Sequence, residues 1–158
     1  MVAAALAAAR APKAGSISVI LTDDEELEAL NITHLGHEGP TDVLSFPLLP
    51  PDAFPAHEGA APREGRAARQ TGATESFVLP PRARLHLGDI AISVERAQAQ
   101  ASQGQGGQTG DVVWRAADEL RLLLTHGTLH VCGWDHEAPA EEAAMRSLER
   151  RLLGTQAA

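Results

Sequence analysis

Cysteine is nearly absent: Cys132 is the only one in 158 residues, which excludes an internal disulfide framework and suits a reducing compartment. Aromatic residues make up only 3%, with no tyrosine, so a row of base-stacking side chains is excluded. No run approaches the ~20 apolar residues of a membrane-spanning helix, which removes a spanning protein from consideration. Positive charge is also scarce. Thirteen basic residues face 21 acidic ones, for a net charge of -8, so bulk attraction does not coat nucleic acid with this chain. What is present, 44% apolar and 22% charged residues, fits one soluble globular domain over 1–158 with a sizeable core.

The few basic residues are unevenly placed. Five arginines (63, 66, 69, 82 and 84) meet two glutamates, Glu64 and Glu75, within residues 60–84. Guanidinium groups suit bidentate contact with phosphate or carboxylate, and a general bias toward arginine and alanine explains the same cluster equally well. Met1–Ala9 is apolar but short and lacks the basic start of a secretory signal. It reads as a frayed Ala-rich helical turn, or as a start placed near a lost helix.

Ser16–Leu21 alternates with Ile17, Val19 and Leu21 on one side, a strand pattern. Thr22-Asp-Asp-Glu25 reads as a capping box opening a short helix through Leu27 and Leu30 that ends near residues 31–36. Val43–Phe46 is a second strand, stopped by Pro47. Residues 47–84 hold seven of the ten prolines, and 48–84 reads as a disordered surface insertion, with Ser76–Leu79 as a short edge strand inside it. Leu87–Ser93 is a third strand and Val94 to about Ser102 a helix. A flexible Gly104–Gly110 connector then leads to a long helix capped by Asp111 and running to about Val131. Pro139 opens the last helix, on which Met145, Leu148 and Leu152 share a face, and Gly154 stops it. Few short strands among helices give an α+β or mixed α/β class.

Three of the seven histidines lie within 11 residues, as His126, His130 and His136. On a helix the first two are one turn apart and point the same way. Gly133 can take the left-handed conformation that ends a helix, letting the chain turn and His136 swing back. Three imidazoles with an open fourth corner are the ligand set of a catalytic zinc site rather than a structural one. Cys132 sits about 160° around the helix from His130 and reads as a packing residue. The spacing equals that of metzincin proteases, which need a glutamate directly after the first histidine. That position is Gly127 here, so a zinc peptidase of that mechanism is disfavoured.

The segment His126-Gly-Thr-Leu-His-Val-Cys-Gly-Trp-Asp-His136 resembles the signature of the YbeY family, zinc-dependent endoribonucleases of rRNA maturation. Pro40-Thr-Asp-Val-Leu-Ser-Phe-Pro47 and Leu87-Gly-Asp-Ile-Ala-Ile-Ser93 resemble two further blocks of that family, in the same order. The resemblance covers about residues 16–47 and 85–154. It implies a small mixed β-sheet flanked by helices, with one Zn²⁺ per chain held by His126, His130 and His136 at the edge of a cleft. It implies a cytoplasmic role in 16S rRNA processing and ribosome quality control. The partners implied are rRNA, the small ribosomal subunit and a ribosomal protein, with neither DNA nor membrane.

Three departures stand out. The family carries Tyr-Arg before its Pro-Thr-Asp block, where this chain has His34-Leu35. Its N-terminal helical region is largely missing here, and 48–84 exceeds its usual connection. A phosphodiester transition state gathers negative charge, so a lost arginine is costly. Arg82 and Arg84 are the expected replacements. Asp135 and Asp42 are the candidate base or supporting carboxylates. Asp135 alternatively orients an imidazole or caps backbone N–H groups, and Asp42 fixes the start of its strand. Glu119, seven residues before His126, reads as a solvated charge. The rival function is a zinc-stabilised ribosome-assembly factor that binds rRNA or a ribosomal protein without cutting.

Overall fold

The computed structural model describes residues 1–60, 83–103 and 115–154. In chain order they form α1 (Val2–Ala8), β1 (Gly15–Thr22), α2 (Asp24–Leu35), β2 (Val43–Pro47), β3 (Leu85–Ser93), α3 (Val94–Ser102), α4 (Ala116–Val131) and α5 (Pro139–Leu153). The fold is α+β, and its three strands make one mixed sheet in the order β1-β3-β2. β1 runs parallel to β3, with Val19 opposite Ile90 and Leu21 opposite Ile92. β2 runs antiparallel, with Ser45 opposite Ile90 and Leu44 opposite Ala91.

The middle strand explains the layering. Leu87, Ile90 and Ile92 are fully buried and pack with Ala97 of α3 and Leu123 and Val131 of α4. On the other face Ala91 and Leu44 pack with Leu27 of α2. Each such large aliphatic side chain contributes roughly 1.5–3 kcal/mol of burial, which favours β3 as the most enclosed strand. A further cluster, Ala9, Phe54, Leu129, Cys132, Trp134, Met145 and Leu148, joins α1, α4 and α5.

Several expectations shift in detail. The N-terminal stretch is not frayed: α1 buries Ala5 completely and its C-cap Ala9 is 6% exposed, because alanines can lie flush against α4. The cap of α2 falls one residue later than Thr22, since the Asp23 carboxylate accepts the Glu26 N–H at 2.8 Å. Thr22 remains in β1 and its hydroxyl donates to the Glu26 carboxylate. α4 starts at Ala116, where the Asp118 carboxylate accepts the Arg115 N–H at 3.2 Å. Asp111 and the Gly104–Gly110 connector lie outside the described residues. β1 buries less than its alternation implies. It is an edge strand, and Val19 and Leu21 remain 38% and 58% exposed beside the packed Ile17.

The stretch 48–84 is open to description only at its two ends. Residues 48–60 are ordered against the body: Pro51–Ala53 form a 3₁₀ turn and Phe54 is 2% exposed. Apolar Phe54 has a cluster to enter, which proline and glycine content does not reveal. Residues 61–82, including Arg82 and Ser76–Leu79, lie outside the described residues. Among the described residues no helix is long and apolar enough to cross a membrane.

Candidate metal centre

α4 carries His126 and His130 on one side and lies on the sheet with the other. The close approach depends on Gly127. A Cβ there would stand 2.9 Å from Ile90 Cγ2 and 3.1 Å from Ser45 Oγ, so no larger side chain fits without displacement. The Ser45 hydroxyl also donates to the Gly127 carbonyl at 3.2 Å. The position that a metzincin fills with its catalytic glutamate therefore faces the core here.

Buried partners orient both helical imidazoles. His126 Nδ1 donates to the Glu149 carboxylate at 2.8 Å, and Glu149 is 1% exposed. His130 Nδ1 donates to the Trp134 carbonyl at 2.9 Å. With both Nδ1 protons committed, the Nε2 atoms of the two rings, which carry lone pairs in that tautomer, face one another 3.0 Å apart. Two lone pairs facing at that distance repel unless a cation lies beside them. His136 closes the group, its ring centroid 5.8 Å from that of His126 and 5.0 Å from that of His130. One nitrogen from each of the three lies within 4.8 Å of the others. Two nitrogens on one tetrahedral zinc ion are ~3.3 Å apart, so the donor set fits such an ion.

Electrostatics favour the same state. Burial, with the neighbouring His126 and His136, pushes the His130 pKa down from 6.5 to about 4. The ring is thus neutral at pH 7, the form a metal ligand requires. Cys132 behaves oppositely: it is buried at 1% exposure, and desolvation pushes its thiol up to about 12. It packs with Trp134 and Met145 and stays outside the histidine group, as the helical angle implies.

Gly133, at φ 82°, ends α4 in the left-handed conformation and turns the chain toward His136. A cleft of about 510 Å³ opens beside the three histidines, lined also by Leu35, Asp42, Ser45, Pro51 and Asp135. A second recess of about 390 Å³ flanks His126 and His136 on the α5 side, with Met145 and Arg146. Asp135 is exposed, and its carboxylate accepts the His136 N–H at 2.7 Å. Asp42 accepts from Gln100 Nε2 at 3.1 Å, and its carbonyl receives the Ser93 N–H at 3.0 Å. Both aspartates therefore line the histidine cleft. Arg84 does not; it is exposed just before β3 and lines neither recess. Glu119 is no solvated charge, at 4% exposure, because the helix face it shares with His126 is covered there.

Two contributors escaped the sequence reading. Glu149 had a legible signal: it stands one turn after Met145, a carboxylate on the apolar face of α5. The Trp134 carbonyl had none, since any residue type supplies that atom.

Comparison with known proteins gives a consistent answer. A family model described as Endoribonuclease YbeY matches residues 1–156. A protein of that name from Roseiflexus castenholzii is 39% identical over 140 residues, covering 87% of this chain and 68% of the relative. One from Chloroflexus aurantiacus is 37% identical over 153 residues, covering 96% and 79%. One from Salinispora tropica is 39% identical over 139 residues, covering 88% and 73%.

Proposed function

The chain belongs to the YbeY endoribonuclease family, and from that premise we propose a zinc-dependent endoribonuclease acting in 16S rRNA maturation and ribosome quality control. Its substrate is rRNA of the small ribosomal subunit, a ribosomal protein is a further partner, and the site of action is the cytoplasm. The observation that carries the reading is the convergence of three imidazole nitrogens within 4.8 Å beside a cleft of about 510 Å³. His126, His130 and His136 hold one Zn²⁺. When bound, zinc supplies a Lewis acid that polarises a phosphoryl oxygen and acidifies water.

The remaining work falls to this chain's own groups. Glu149 and the Trp134 carbonyl fix the tautomers that present Nε2 to the ion. Asp135, exposed in the cleft, holds or accepts a proton at a carboxylate oxygen. Asp42, steadied by Gln100, shapes the same cleft and limits where the phosphodiester lies.

A second reading has its own support. Leu35 lines the cleft at 50% exposure, and among the described residues the cleft lining includes no arginine or lysine. An anionic transition state is less stabilised there, which favours a slow nuclease or an assembly factor that binds without cutting. Incubating the purified chain with single-stranded RNA, beside a His126→Ala control, separates the two. Cleavage by the wild type alone supports the nuclease, and a Leu35→Arg variant should cut faster. No cleavage by either, with about one zinc per chain by elemental analysis, supports the binding factor.

A further inference from the structure

His57 has no part in the ligand set, yet it is almost wholly enclosed, its side chain 6% exposed. Its ring stacks on Trp134 with centroids 4.0 Å apart and planes 14° from parallel. Its Nε2 lies 2.6 Å from Glu141 Oε1, and that same oxygen accepts the Asp135 N–H at 2.9 Å. Glu141, at 7% exposure, thus bridges a histidine far upstream to the backbone of the residue beside His136.

The neighbouring contacts follow the same course. Pro51 covers Gly133, where a Cβ would come within 3.0 Å of the Pro51 Cα. Phe54 enters the cluster that contains Trp134. At Gly59 a Cβ would stand 2.5 Å from the Ala140 carbonyl oxygen, so that residue also lies hard against the first turn of α5. Arg10 donates to the Ala56 carbonyl at 2.5 Å and ties the segment to the end of α1. Residues 51–60 thereby form a strap across the turn that bears the third imidazole.

We propose that His57 and Glu141 are positioning residues for the metal centre: through the shared Glu141 oxygen and the Trp134 stack they lock the 133–136 turn and so place His136. The inference rests on the metal-binding reading above and extends it to a segment outside the ligand motif. An exposed turn explores many conformations, and a ligand held on it reduces affinity by the fraction of time it spends elsewhere. A hydrogen bond from a buried imidazole and a ring stack restrict that range before any ion arrives.

The test compares wild type with His57→Ala, His57→Gln and Glu141→Ala, each as the full chain. Zinc affinity is read by competition with a chelating dye, and the Co²⁺ absorption spectrum reports ligand geometry. Amide exchange at Asp135 is followed on the metal-free chain. Loss of an outer partner of a metal site costs about 10–100-fold in affinity, and His57→Ala and Glu141→Ala should fall in that range. They should also alter the Co²⁺ spectrum and speed exchange at Asp135. His57→Gln, whose amide N–H can reach the same oxygen, should recover part of the loss. Leu27→Val, in the core on the far side of the sheet, should lower the denaturation midpoint with affinity unchanged, which separates placement from general stability.

Wild-type affinity, spectrum and exchange in His57→Ala would overturn the proposal. If the wild type itself takes up no metal, the metal reading fails, and exchange decides the rest. Acceleration at Asp135 then upholds the locked turn, and its absence overturns it.

Discussion

His126 and His130 stand one turn apart on α4, a helix pressed against the sheet, and each gives its Nδ1 proton to a partner on the protein. His136 stands on an exposed turn beyond the helix, and the contacts that hold this turn come from residues 51–60 and the start of α5. The first pair is placed by local geometry, because helical periodicity brings residues four apart together wherever the helix lies. The third is placed by contacts between residues far apart in sequence. The candidate metal centre therefore depends on two kinds of order, and each can be disturbed while the other persists.

The largest expected effect tests the helical half. The pKa of His130 is about 4 in the folded chain and 6.5 when solvated, so the unfolded chain takes up this proton first on acidification. Its contribution to stability is complete above pH 6.5 and is lost as pH falls toward about 4. The effect on the metal-free chain is roughly 3 kcal/mol. Urea denaturation at closely spaced pH values should show this slope in the wild type. A His130→Asn chain should lack it, whatever the carboxylates contribute to both. An identical slope in the two chains would mean that burial of His130 does not govern the helical half.

The next effect separates orientation from ligation. Glu149→Gln keeps an acceptor of the same shape for His126 Nδ1 but removes the negative charge 2.8 Å from that nitrogen. Zinc affinity should weaken by about tenfold, with circular dichroism unchanged. A loss as large as that of His126→Ala would make Glu149 part of the scaffold of α5 rather than a tuner of one imidazole.

The same contrast explains what was legible in the sequence. Helical spacing, a glycine after the helix and a third histidine single out the three candidate ligands in the sequence, and Gly127 on its own disfavours the protease mechanism. Pro139 and Gly154 bounded α5 correctly because both act through their own backbone geometry. The strap was missed for the opposite reason. Proline and glycine density in 48–84 describes local chain preference, whereas the order of His57 and Phe54 comes from Trp134 and Glu141, more than 70 residues away. The shift in the cap of α2 is smaller in kind: Asp23 and Thr22 are both good caps, and β1 retained the threonine.

The smallest expected effect marks the boundary between the two regions. Cys132 lies between His130 and the turn, close enough in sequence to suggest a fourth ligand. Its thiol is pushed up to about 12 by burial and sits among Leu129, Trp134 and Met145. Buried and outside the histidine group, the thiol is not placed to reach the ion, and so protonated it is slow to react with alkylating reagents at neutral pH. Cys132→Ala should leave zinc affinity within about twofold and the Co²⁺ spectrum free of any lost thiolate band, at a stability cost of about 1 kcal/mol for the atom removed from the core. Loss of a sulfur-to-metal band in the variant would place the thiolate on the ion. The open fourth corner on which the hydrolytic reading depends would then be closed by the protein itself.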